Sequence, residues 1–194
     1  MARLIETVGP YRLRPDLECS PFQALARAIT YQQLHGAAAK AILDRFIDAF
    51  GRNGAFPTAQ TVLRASESRL RAVGLSFGKI AALKDLAAKT IAGLVPDRRT
   101  LEAMGDAEII ARLTQVRGIG RWTVQMMLIF QLGRPDVLPV DDFGVRTGFR
   151  LTYGLRKLPT PRALAEYGER WGPHRTAAAW YLWRAVDRAR LQGR

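Results

Sequence analysis

The chain has little sulfur, little acid and no long apolar run. Cys19 is its only cysteine, which rules out an intrachain disulfide and leaves no four-thiolate iron–sulfur or zinc site. The stretch Met1-Ala-Arg-Leu-Ile-Glu lacks the apolar core of a signal peptide. No segment approaches the roughly 20 apolar residues that cross a bilayer. Repeats and low-complexity tracts are missing, and the period-2 alternation of strands is scarce. Acidic residues number 17 against 30 Lys and Arg, a net charge of +13 in 194 residues, and the pI is near 10.9. Hydrophobic (48%) and charged (24%) fractions are those of an ordinary globular protein. Such an excess of cations favours a polyanionic partner, because each phosphate neutralised releases a condensed counterion. Most of the cations are Arg, whose planar fork grips phosphate. Charge alone does not say which polyanion: a ribosomal protein, an RNA binder or a basic enzyme fits as well. The expected location is the cytoplasm, on the nucleoid if the polyanion is DNA.

Nearly everything after Pro21 reads as helix. Phe22, Leu25, Ala26, Ile29 and Leu34 fall close to a 3.6-residue period, and Ala37 to Phe50 form an Ala-rich helix ended by Gly51. Thr58, then Ser66 or Ser68, then Ser76 are candidate N-caps for three further helices, the third running to Ala92 and Gly93. Asp106 precedes a run to Val116, and Arg121 to Leu132 make a strongly apolar helix. A loop with Pro135 and Pro139 leads into a helix starting near Asp141 or Asp142. Pro161 opens another at its first turn, and Pro173 precedes a last helix reaching about Leu191. The fold class is all-α.

Two stretches carry chemistry. In Leu113-Thr-Gln-Val-Arg-Gly-Ile-Gly-Arg-Trp-Thr-Val, Gly118 and Gly120 flank an apolar residue between two helices. They let the chain turn tightly and aim the first N–H groups of the second helix outward, where a phosphate oxygen can accept them, with Arg121 beside them. A plain helix–helix turn would use the same glycines; the flanking helices and the basic chain favour a grip on a nucleic-acid backbone. Some twenty residues on, Leu138-Pro-Val-Asp-Asp-Phe-Gly-Val-Arg places Asp141 and Asp142 at a helix start. One of them is expected to act as N-cap, leaving the other for chemistry.

The hairpin, the apolar helix after it and the proline-then-aspartate segment resemble the helix-hairpin-helix-Gly-Pro-Asp superfamily of DNA glycosylases. Within it the chain is most similar to the 3-methyladenine DNA glycosylase II group and its yeast relatives. The likeness covers about Pro21 to Trp183 and is most specific from Leu113 to Arg146. In that group the hairpin reads Pro-Gly-Ile-Gly-Arg-Trp. Arg117 stands here in place of the proline, which should cost some loop rigidity but adds a cation.

The resemblance implies an all-α fold of two helical lobes with a central DNA-binding cleft. Residues 21–132 would form one lobe with the helix-hairpin-helix, and 1–20 plus 133–194 the other, with the catalytic aspartate. Several members carry an N-terminal β domain as well, for which this length leaves no room. The catalytic carboxylate corresponds best to Asp142, with Asp141 one register away. Relatives that also cut the strand carry a lysine at the position of Trp122, so the implied activity is monofunctional: hydrolysis of the glycosidic bond of alkylated bases, with no lyase step. Trp183 matches a tryptophan that stacks on the flipped base, Trp122 matches a pocket tryptophan, and Met126 replaces a family tyrosine; Trp180 and Tyr181 are weaker candidates. An electron-rich indole suits a cationic alkylated purine. Ile29-Thr-Tyr-Gln-Gln-Leu-His-Gly resembles the minor-groove loop, where a Gln, Leu or His fills the gap left by a flipped nucleotide. His35 matches the wedge and Gln33 a neighbouring strand contact.

The DNA-binding set is thus Gly118, Gly120, Arg121, Thr123, Gln33 and His35. No cofactor is required, although family members often hold a Na or K ion on hairpin carbonyls, here those of Thr114, Val116 and Ile119. The implied partner is double-stranded DNA with alkylated bases, met by a monomer. Two other readings share parts of the pattern. A non-catalytic hairpin module would have no need of Asp142 or Trp183, and a glycosylase for deaminated or oxidised bases would have little use for a cation-binding pocket.

Overall fold

The computed structural model describes residues 1–193. Among them the chain forms α-helices and one 3-10 turn and no strand, as an all-α reading requires. In chain order the helices are α1 (Ala2–Val8), α2 (Pro21–Tyr31), α3 (Gly36–Phe50), α4 (Ala59–Arg64), α5 (Glu67–Ala72), α6 (Phe77–Ile91), α7 (Arg98–Ala103), α8 (Asp106–Leu113), α9 (Arg121–Phe130), α10 (Phe143–Tyr153), α11 (Pro161–Gly168) and α12 (Arg175–Leu191). No helix of the described residues is long and apolar enough to cross a membrane.

Most helices begin where a short polar side chain accepts a first-turn N–H. Ser20, Thr58, Ser66, Ser76, Asp97, Asp142 and Thr160 each take the N–H three residues on, which satisfies a donor the helix itself cannot. Pro21 and Pro161 occupy the first turn, where the missing N–H costs nothing. Two helices have no counterpart in the sequence reading. α1 buries no residue and has no side-chain cap, and α7 is six residues long, too short for periodicity to declare itself.

Contacts divide the chain into two compact units, Leu17–Met127 and Met1–Asp16 with Leu128–Arg194. The sequence reading set the divisions at 20/21 and 132/133; they fall at 16/17 and 127/128. The shift has a local cause: the Asp16 N–H donates to the Phe130 carbonyl at 2.8 Å, and Pro15 lies against Gly133, so the end of α9 joins the N-terminal segment.

The core of the Leu17–Met127 unit is made of fully buried Leu25, Ile29, Phe46, Leu70, Leu83 and Leu113 with their neighbours. The other unit centres on Val145, Phe149, Leu164, Ala179 and Leu182, with Leu4, Leu138 and Tyr167 packed against them. Its tightest point is Gly148. A Cβ there would collide with the Leu182 carbonyl oxygen at 2.0 Å, so α10 and α12 cross backbone to backbone at a glycine.

Candidate active site and nucleic-acid interface

Asp142 stands at the end of the 131–142 loop, and that loop is fastened to the start of α12. Thr176, 2% exposed, receives the Val137 N–H on its hydroxyl at 3.0 Å and donates the hydroxyl to the Arg134 carbonyl at 2.6 Å. The Thr176 N–H donates to the Pro135 carbonyl at 3.0 Å. Asp136 accepts the Arg175 N–H at 3.2 Å and lies 3.2 Å from its guanidinium. Thr176 and Trp183 are seven residues apart on α12, hence on one helical face. The tether at Thr176 therefore sets which side chain of α12 meets the end of the loop.

That side chain is Trp183. Its Nε1–H donates to Asp142 Oδ1 at 2.9 Å, and the Val145 N–H donates to the same oxygen at 2.7 Å. Asp142 is the N-cap of α10. The sequence reading divided capping and chemistry between Asp141 and Asp142; in the structure the carboxylate matched to catalysis is itself the cap, while Asp141 is exposed. One carboxylate can do both, since its two oxygens offer about four acceptor sites. An anion is also favoured at a helix N-terminus, where the macrodipole is positive. Phe130 stacks on Trp183, with ring centroids 5.7 Å apart and planes inclined by 26°. Phe130 and Phe143, the latter 68% exposed beside Asp142, are aromatic neighbours that the sequence reading did not single out. Trp180 meets Tyr11 edge to face, and the Tyr181 hydroxyl donates to the Gly9 carbonyl at 2.9 Å. Both hold the N-terminal segment.

The Leu17–Met127 unit carries the hairpin. Gly118 has φ +78° and a Cβ there would lie 3.3 Å from the Ala82 side chain, so the turn needs glycine for conformation and nearly for space. Ile119 and Val116 are buried and anchor it; the Ile119 N–H donates to the Val116 carbonyl at 3.0 Å, and the Val124 N–H to the Gly120 carbonyl at 3.2 Å. Gly120 thus precedes α9, whose first N–H groups have no intrahelical acceptor. Arg121 is exposed, as is Trp122 at 47%; Met126 is half-buried. Thr123 lies in the first turn of α9. The residue is 7% exposed.

Three side chains brace this hairpin, two from α6 and one from the residue that follows α2. Asp85 Oδ2 accepts the Arg117 N–H at 2.7 Å and the Lys89 ammonium at 2.9 Å, and Lys89 also donates to the Gln115 carbonyl. Burial pushes the Asp85 carboxyl up, but the Arg117 N–H and the Lys89 bond and charges outweigh it and hold the group below its ordinary value. Gln32 donates its amide to the Gly118 carbonyl at 2.8 Å. The loop after α2 follows directly. Gln33 sits at φ +57°, an uncommon region for a side chain of this kind. Gln33, Leu34 and His35 are all exposed, and His35 is the N-cap of α3 without a side-chain cap bond.

The carbonyls matched to the family's cation position are those of Thr114, Val116 and Ile119. Thr114 is the C-cap of α8, at the negative end of that helix, and the Val116 carbonyl, which accepts from Ile119, retains a second lone pair. Among the described residues no group of three or more His, Cys, Asp or Glu forms a metal site.

A glycine-turned helical hairpin in one unit, and in the other a capping aspartate held by an indole, define an all-α nucleic-acid-processing protein. Residues 26–174 match the family described as HhH-GPD superfamily base excision DNA repair protein, and the chain belongs to that superfamily. It is 45% identical over 183 residues to DNA-3-methyladenine glycosylase 1 of Schizosaccharomyces pombe, covering 94% of this chain and 80% of that one. A structure of the S. pombe 3-methyladenine DNA glycosylase in complex with abasic DNA superposes with a TM-score of 0.85 at 45% identity, over 94% of this chain and 88% of that one. A DNA-3-methyladenine glycosidase from Bacillus halodurans superposes with a TM-score of 0.83 at 34% identity, covering 95% and 82%.

Proposed function

We infer that this protein is a monofunctional DNA glycosylase that excises alkylated bases, of the 3-methyladenine and 7-methylguanine type, from double-stranded DNA in base excision repair. The observation that carries the reading is the Asp142 carboxylate, half-buried at the start of α10 and bonded by Val145 and Trp183, in a chain similar over nearly its whole length to proteins named as 3-methyladenine glycosylases.

The chemistry follows from the charge of the lesion. Alkylation at a ring nitrogen leaves the base cationic, and such a base needs little help to depart. A damaged pair is weakly held, so turning the nucleotide out of the stack is cheap. As the base leaves with the bonding pair, positive charge develops on the sugar, and a fixed carboxylate steadies it without reorganising. Asp142 is that carboxylate. A water then adds to the sugar carbon that held the base and loses a proton, which completes the abasic site. The exposed loop at Gln33, Leu34 and His35 fills the space the nucleotide leaves. Arg121 and the N–H groups beginning α9 hold a phosphate. The carbonyls of Thr114, Val116 and Ile119 would hold a Na or K ion, whose charge would offset their dipoles and stiffen the turn.

Support for the absence of strand cutting comes from the lysines. Trp122 occupies the position where strand-cutting relatives carry an amine. Of the five lysines, Lys40 is bound to Asp44, Lys79 to the Thr30 carbonyl, Lys84 to the Leu63 and Ala65 carbonyls and Lys89 to Asp85, while Lys157 lies exposed in the segment between α10 and α11, outside the hairpin position at which those relatives carry their lysine. The test is direct. Incubation with methylated duplex DNA should release free methylated purines and leave an intact strand with an alkali-labile abasic site, and borohydride should trap no protein–DNA adduct. A trapped adduct refutes the monofunctional reading, and failure to release any methylated base refutes the substrate.

A further inference from the structure

We propose that Trp183 is a positioning residue for the Asp142 carboxylate, seated by Phe130 and by the missing side chain at Gly144. The proposal rests on the glycosylase reading above and adds to it a residue that acts on the sugar side of the reaction through Asp142.

Three independent features converge. The first is the pair of donors on a single oxygen. Asp142 Oδ1 takes the Val145 N–H from α10 at 2.7 Å and the Trp183 indole N–H from α12 at 2.9 Å. A cap bond alone leaves the carboxylate a broad terminal torsion. A second donor from a different helix removes that freedom and fixes where the rest of the group points. The second feature is the seat of the indole. Phe130 lies against it at 5.7 Å and 26°, so the ring is held at its face as well as at its N–H.

The third is Gly144. A Cβ built there would stand 3.0 Å from Trp183 Cδ1, 3.2 Å from Trp183 Nε1 and 3.1 Å from Asp142 Oδ1, beside the bond and close enough to both partners that one of them would have to give by a few tenths of an ångström. Gly144 is not among the glycines with positive φ, so its backbone does not require glycine. It is the space that favours glycine. A small residue at the second position of α10 serves the indole–carboxylate bond and no evident need of the helix.

Positioning differs from stacking on the flipped base in what it changes. A stacking residue holds the base; a positioning residue holds the anion against the sugar. The experiment is single-turnover release of 7-methylguanine from a defined duplex, with affinity for an abasic duplex measured alongside. Trp183→Phe keeps an aromatic ring against Phe130 but loses the N–H with the pyrrole part of the indole; Gly144→Ala keeps the indole and pushes it a few tenths of an ångström away from the carboxylate, lengthening the bond. Each should slow release about tenfold, the scale of one hydrogen bond to a charged acceptor, with abasic-duplex affinity within about twofold of wild type. Because both act on one bond, the double variant should be no slower than the slower single one. Additive losses, a wild-type rate in Gly144→Ala, or a rate loss matched by lost affinity would overturn the proposal. If Trp183→Phe does not fold, Gly144→Ala decides alone through its rate and affinity. Wild-type protein that releases no methylated base fails the glycosylase reading instead, and does so before any variant is made.

Discussion

At the scale of the residue, Asp142 carries two duties that are separable by substitution. As N-cap it accepts the Val145 N–H; as an anion it faces the developing charge of the sugar. Asn is as good an N-cap as Asp and keeps an oxygen for Val145 and Trp183, but it has no charge. Asp142→Asn should therefore abolish base release while melting within a few degrees of wild type and binding abasic duplex as before. Asp142→Ala should lose release and also about 1 kcal/mol of stability with the cap. Asp141→Asn should leave both unchanged. Release assays with thermal denaturation check this, and retained release in Asp142→Asn with loss in Asp141→Asn would move the assignment by one residue. The helix start and its acidic pair were legible from sequence because capping is local. The bond from Trp183 was not, since it spans 41 residues and depends on the tether at Thr176 that sets the register of α12.

At the scale of the element, the hairpin shows how one departure from a family pattern is offset. Where the family has proline, this chain has Arg117, whose backbone N–H a proline would lack; that N–H donates to Asp85. The lost ring rigidity is replaced by an anchor from α6, reinforced by Lys89 on the Gln115 carbonyl, and Gln32 ties the loop after α2 to Gly118. Nothing in the local pattern announces Asp85 or Gln32, because both partners lie far along the chain, and the left-handed Gln33 is invisible in a sequence with no glycine there. The sign of the pH dependence is fixed by the depressed Asp85 carboxyl. Its contribution is fully present above the unfolded value near 3.9 and is lost as pH falls through the lower folded value. DNA affinity should accordingly show no step from this group between pH 5 and 8. Asp85→Ala should weaken binding to damaged and undamaged duplexes by a similar factor, about three- to tenfold, by freeing the turn. Fluorescence anisotropy across that pH range measures both. Unchanged affinity in Asp85→Ala would mean the turn is rigid without its brace.

At the scale of the whole molecule, the +13 charge and the site make separate contributions, and salt tells them apart. Composition could name the polyanion only as a class; the hairpin and the capping aspartate narrowed it, because they are local patterns with few other uses together. Binding driven by counterion release weakens linearly in log affinity against log salt, with a slope of about −0.9 per phosphate neutralised on duplex DNA. Arg121, exposed beside the first turn of α9, should account for about one such phosphate. Arg121→Ala should lower affinity for every duplex, alkylated or not, and make the slope shallower by roughly 0.9. Its single-turnover rate at saturating protein should stay near wild type, since the residue grips the backbone and does not touch the reacting sugar. Asp142→Asn makes the opposite pair of changes: no release, and a slope no shallower than wild type. If Arg121→Ala leaves the slope unaltered, Arg121 holds no phosphate and the grip lies with other cations. If it lowers the saturated rate as much as the affinity, the hairpin does more than hold DNA, and the division of labour between grip and chemistry fails.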